Sequence, residues 1–290
     1  MPEEKVPKFL YHYTTIKTLP YMFKENDKDG KVVFRFTDYR FLNDAEEGIF
    51  LKKFIEKNKA DYRKNLKEQD LKKLFDLFAD RLLGVADSIY KKNYTPYIMS
   101  FTKCEDSMQF WRQDYAKDKG ICLKLRTSKF KFPTELDGSS YEPKCTTFSQ
   151  VHYISTSDTI GKAFPKLKKD LNDFLKSQDE NQFDALKFAS EFPNRIKIFS
   201  IKNKVWKSED EWRLKIIRID KDSTLNCIKT EYKTDELGIP RATIEIKNPI
   251  EEIILGPSFT PQYVDSIKMW LSDRGYKSIK VRCGDGILND

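Results

Sequence analysis

Glu209-Asp210-Glu211-Trp212-Arg213 gathers three acids at the head of an apolar, alternating run, Leu214 to Ile219. Ionised carboxylates are costly to bury unless they are paired. Glu211 and Arg213 lie two apart, so on an extended segment both side chains leave one face and Trp212 leaves the other. That spacing sets a carboxylate beside a guanidinium at a pocket wall. It equally describes an ion pair that only staples a strand end.

Histidine is the next group to weigh, because the chain holds only His12 and His152. His12 lies between two tyrosines and is followed by Thr14, so alternation puts its imidazole and the Thr14 hydroxyl on one strand face. Such a pair suits a nucleotide's hydroxyls and phosphates, although a histidine packed between tyrosines is also a common core element. Ser100 and Thr102 repeat the spacing around Phe101. Met108, Trp111 and Tyr115 fall on one helical face and offer either a flat surface for a planar ligand or a core stripe. Asn43-Asp44 supplies oxygen ligands too sparsely for magnesium. Ser/His/Asp catalysis has its residue types but no nucleophile elbow, and Cys104 or Cys122 with His152 is no more specific.

The elements that must carry these groups are short. A strand is expected over Lys8 to Thr14, a helix over Ile16 to Glu25 and an alternating strand over Lys31 to Thr37. An ordered loop should follow to Asp44, which can cap the next helix. From Ala45 to Tyr90 the pattern is helical and charged, with Phe50, Phe54, Phe75, Phe78, Leu82 and Leu83 as its apolar stripe. Strands are expected over 97–102, 119–125 and 148–154, and a second helical patch over 163–192. Strands near 211–219, 242–246, 252–255 and 278–281 and a helix over 262–273 complete the chain. These elements lack the βαβ rhythm of a doubly wound sheet, and no Gly-rich phosphate loop appears. One mixed α+β domain over 1–290 is expected, with helical insertions at about 45–92 and 160–195.

The chain has 290 residues, enough for a sizeable core, and 13% of them are aromatic. Lys plus Arg outnumber Asp plus Glu by 53 to 45, a formal charge of +8, which favours an anionic partner or substrate. Five widely spaced cysteines argue against a disulfide framework, and no CxxC pair or histidine cluster suggests a metal. With no membrane-spanning stretch and no signal-peptide core, a reduced, cytoplasmic protein is expected.

Taken together, Leu10-Tyr11-His12-Tyr13-Thr14-Thr15, Phe41-Leu42-Asn43-Asp44, Ser100-Phe101-Thr102, Trp111 to Tyr115, Gly120-Ile121-Cys122-Leu123 and Glu209 to Leu214 resemble the bacterial family of unknown function DUF2971. The resemblance covers roughly residues 9 to 282. That family is distantly similar to the ADP-ribosyltransferase superfamily, which implies a split β-sandwich around a cleft for NAD as substrate. It implies catalytic roles for His12, Ser100 and Glu211, with Glu209 as rival to Glu211. It implies NAD contacts at His12, Tyr13, Thr14, Asn43, Ser100, Trp111, Tyr115 and Arg213. Tyr13 stands where that superfamily has a glycine, which threatens crowding. A carboxylate beside the ribose suits the chemistry, because positive charge develops at the anomeric carbon as nicotinamide leaves.

The resulting expectation is an NAD-consuming ADP-ribosyltransferase with a nucleic-acid or protein acceptor, of the kind used as a toxin or defence effector and held by an inhibitory antitoxin partner. Its rivals are an NAD hydrolase, a non-catalytic nucleic-acid-binding or nucleotide-sensing module, and a structural partner protein.

Overall fold

The computed structural model describes residues 5–25, 30–42, 47–89, 94–112, 119–130, 146–176, 200–219 and 231–285. Asn43, Asp44 and Tyr115 lie outside them, as does the far end of the second helical patch. The architecture is α+β: a mixed ten-stranded sheet, a second sheet of two strands, and helices on the flanks.

The alternating segments form strands whose apolar positions face one core. Strands β1 (Phe9–Thr15), β2 (Lys31–Asp38), β3 (Tyr94–Thr102) and β4 (Gly120–Arg126) supply Leu10, Phe34, Phe36, Phe101 and Leu123 to it. Strand β8 (Glu211–Ile219) adds Trp212, Leu214 and Ile216. Each fully buried side chain of this kind contributes about 1.5–3 kcal/mol. Strands β10 (Pro240–Lys247) and β11 (Ile250–Leu255), with helix α7 (Gln262–Asp273), close the same core.

The helical insertions build a second core. Helices α2 (Glu47–Lys64) and α3 (Gln69–Ile89) bury the expected phenylalanine stripe against α5 (Ile160–Ala163) and α6 (Leu167–Lys176), and Ile98 of β3 joins them from the sheet. Two expectations change. The helix from Ile16 shrinks to a 3-10 turn, Ile16–Thr18, and α1 (Leu19–Met22), because Phe23 turns extended and packs edge-on against Tyr276. The strand expected over 148–154 is two strands. β5 (Thr146–Gln150) pairs with β8, whereas β6 (His152–Ile154) pairs with β7 (Ile201–Asn203) in the small sheet.

What matters for a site is a fork. β8 lies antiparallel along one edge of β3 from Tyr94 to Thr102. The opposite edge is shared, since β2 pairs at Tyr97 and Ile98 and β1 pairs at Thr102. Ser100 sits between these two attachments, so β1 and β2 diverge beside it and leave a gap in the sheet.

Candidate active-site cleft

A cleft of about 450 Å³ opens at this fork, within the size range of small-molecule sites. Because it passes between diverging strands, it draws its walls from both faces of the sheet. His12 and Thr14 come from the face of the first core, Ser100, Glu211 and Arg213 from the other. Residues expected to meet, far apart in the chain, line one space.

Strand register sets the polar wall. Ser100 pairs with Arg213 and Thr102 with Glu211, so their side chains project together. The Arg213 guanidinium grips Glu211 bidentately, Nε to Oε1 at 2.8 Å and Nη2 to Oε2 at 3.0 Å. Lys202 on β7 reaches both acids, with Nζ 2.7 Å from Glu209 Oε2 and 3.4 Å from Glu211 Oε2. All four side chains are buried, Arg213 at 1% exposure and Glu211 at 5%. Burial alone raises the Glu211 carboxyl, yet the Arg213 charge, Lys202 and the Ser100 hydroxyl outweigh it and hold it below the ordinary carboxylate range. Glu209 shifts the other way, pushed up by burial that Lys202 only partly offsets. Two carboxylates two residues apart therefore differ in proton affinity. Glu211 is the more firmly ionised of the two.

A left-handed turn makes this possible. Asp210, at φ 39° and ψ 52°, ends the 3-10 segment Lys204–Glu209 and starts β8, and aspartate tolerates that conformation. Thr102 Oγ1 donates to the Glu209 carbonyl at 2.7 Å, and the Glu211 N–H donates to the Tyr153 hydroxyl at 2.9 Å.

His12 faces the gap from β1. Its Nδ1 lies 2.8 Å from the Ser100 carbonyl, and a carbonyl can only accept, so Nδ1 carries the proton and Nε2 the lone pair. Burial lowers its affinity for a second proton, against a smaller opposing effect of that carbonyl. The imidazole is neutral at physiological pH and satisfies a backbone oxygen that the fork leaves without a strand partner.

The remaining candidates divide. Thr14 lines the cleft and its hydroxyl meets Thr18 at 3.5 Å. Tyr13 borders the cleft, but its ring turns away from His12, stacks on Phe110 at 4.6 Å, and accepts the Ser107 N–H at 2.7 Å through its hydroxyl. Alternation thus removes the crowding that the missing glycine suggested. Trp111 does not line the cleft. It packs edge-on against Tyr13 at 4.8 Å, and its Nε1 donates to Asp106 at 2.7 Å. Its stripe is core. Lys202 is the residue that sequence reasoning missed: it sits on a three-residue strand among other lysines, with no periodic signal to mark it.

Among the described residues no group of three or more His, Cys, Asp or Glu side chains is placed to hold a metal ion. Among them, too, no helix is long and apolar enough to cross a membrane. Cys104, Cys122 and Cys283 are free thiols.

The model of a family described as protein of unknown function, DUF2971, matches residues 110–214. The match runs from α4 (Met108–Arg112) into β8 and includes Lys202, Glu209, Glu211 and Arg213. His12 and Ser100 lie before it. No curated protein and no solved structure matches the chain.

Proposed function

We infer that this protein cleaves NAD between nicotinamide and ribose and passes ADP-ribose to an acceptor. The observation that carries this reading is the meeting of His12, Ser100 and Glu211 at one cleft from three separate strands. Their chain order, an early histidine, a middle serine and a late glutamate, follows the ADP-ribosyltransferase superfamily. The forked sheet supports a likeness to that superfamily's split β-sandwich.

In the reaction, the bond from the anomeric carbon to nicotinamide nitrogen breaks and its electron pair leaves with nicotinamide. The acceptor's nucleophilic atom supplies the pair for the new bond and gives up a proton to solvent. Between these events the ribose carries positive charge, which a fixed, ionised Glu211 stabilises more than it stabilises the substrate. A carboxylate has about four lone-pair sites. Arg213, Lys202 and the Ser100 hydroxyl already address those of Glu211, so a ribose hydroxyl must displace one of them. The Lys202 contact, at 3.4 Å, is longer than either Arg213 contact, and Lys202 keeps Glu209 when it yields. His12 Nε2 offers a lone pair to a hydroxyl of the adenosine-side ribose.

Nicotinamide release from NAD, with the purified protein alone and with cell extract, tests the reading. Glu211→Gln should lower the rate about 100-fold or more, the scale of losing one electrostatic contact to a transition state. Intact NAD with every acceptor, from a folded protein, discards catalysis in favour of a binding module. Release without any acceptor makes water the acceptor and the protein an NAD hydrolase.

A further inference from the structure

The cleft's charges do not cancel at its mouth. Its lining holds four cations, Arg35, Lys202, Arg213 and Arg241, against three acids. Glu209 and Glu211 are tied to Lys202 and Arg213, and Asp235 binds Arg241 Nε at 2.9 Å. Arg35 is the surplus charge. It is exposed, pairs with no carboxylate among the described residues, and lies with its guanidinium carbon 4.1 Å from the centroid of the Tyr21 ring. Tyr21 is itself 50% exposed, and a second lining ring, Phe41, is 44% exposed. Large apolar rings left in water at the rim of a cationic cleft call for a flat, anionic occupant.

We propose that this rim docks single-stranded nucleic acid, a base stacking on Tyr21 or the Arg35 guanidinium plane and a neighbouring phosphate meeting the Arg35 charge. The docking rests on the ADP-ribose-transfer reading and names its acceptor: a base or backbone atom of the strand held at the mouth. Stacking on aromatic and guanidinium planes is the mode by which unpaired bases are held, and a duplex, whose bases are already stacked, cannot use it. An acidic peptide would satisfy Arg35 but leave Tyr21 and Phe41 in water.

The test uses fluorescence anisotropy with a labelled, mixed-sequence 12-nucleotide DNA and its RNA counterpart, the same sequence as a duplex, and a polyglutamate peptide. Glu211→Gln protein serves as the background, so that binding is read without turnover. Single strands should bind more tightly than the duplex, and binding should weaken as salt rises. Tyr21→Ala should weaken binding roughly ten-fold or more, whereas Tyr21→Phe should keep it, since the ring and not the hydroxyl stacks. Arg35→Ala should lower affinity and flatten the log–log salt slope by about 0.7, the share of one phosphate contact on a single strand. Circular dichroism confirms that each variant is folded. Duplex or polyglutamate binding as tight as the single strands, or Tyr21→Ala without effect in a folded protein, overturns the proposal. Nicotinamide release with label found only on protein overturns it and leaves the cleft reading intact. Tyr21-dependent oligonucleotide binding without any nicotinamide release supports the docking and sinks the transferase reading instead.

Discussion

Replacing Lys202 with methionine tests the buried charge group from its least expected member. Two carboxylates and two cations meet there, Lys202 and Glu209 each at 6% exposure, so solvent screens them little. Without the ammonium, two acids share one guanidinium. If both stayed ionised, the loss would be about 3–5 kcal/mol, the usual cost of stripping a partner from a buried ion. Glu209 has a second option because burial already raises its carboxyl: it can take a proton on folding. From an unfolded value near 4.3, that costs roughly 1 kcal/mol at pH 5 and roughly 3.7 kcal/mol at pH 7, at about 1.4 kcal/mol per unit. The sign follows from a folded value above the unfolded one, which favours folding at low pH and weakens it as pH rises. Lys202→Met should therefore be nearly as stable as the parent at pH 5 and lose about 1.4 kcal/mol per unit up to pH 7, levelling at about 3–5 kcal/mol. Urea unfolding midpoints across pH 5 to 8 measure this. Adding Glu209→Gln should recover most of the loss at pH 7. A deficit that is the same at pH 5 and pH 8 would refute the claim that Lys202 offsets the upward pull of burial on the Glu209 carboxyl.

Two further outcomes follow from single contacts. Because His12 binds its second proton less readily folded than unfolded, stability should fall as pH drops from 6.5 toward its folded value, and His12→Gln should flatten that part of the profile in thermal melts. A Cβ at Gly256 would lie 2.8 Å from the Gly120 carbonyl and 3.0 Å from the Trp111 ring, so Gly256→Ala should cost about 1–3 kcal/mol by urea titration while leaving His12, Ser100 and Glu211 in place.

The polar wall of the cleft was legible because strand alternation is rigid. Given strands through Ser100 and Glu211, the period of two fixes which side chains share a face, and the register then sets Ser100 against Arg213. The helix Gln262–Asp273 was equally clear, since Pro261 and the positive-φ Gly275 bracket it. Trp111 shows what periodicity withholds. Its spacing from Met108 puts both on one helical face but does not say whether that face meets ligand or core, and Asp106 and Tyr13 decide for the core. The break at Val151 was hidden because Phe148 to Ile154 holds no Gly, Pro, Asn or Asp to mark a turn. Its N–H donates to the Glu211 carbonyl at 2.8 Å, a long-range contact that divides one run between two sheets.

The fork also governs when the site comes into being. β3 finds its main partner, β8, only after more than a hundred further residues have been made. A nascent chain that stops short of residue 211 can assemble β1, β2 and β3 yet has neither the glutamate nor its arginine, and β3 keeps one bare edge open to stray pairing. The last wall of the cleft and the cover for that edge arrive as one strand, so a half-made chain has an incomplete cleft and is aggregation-prone until the same folding event ends both conditions.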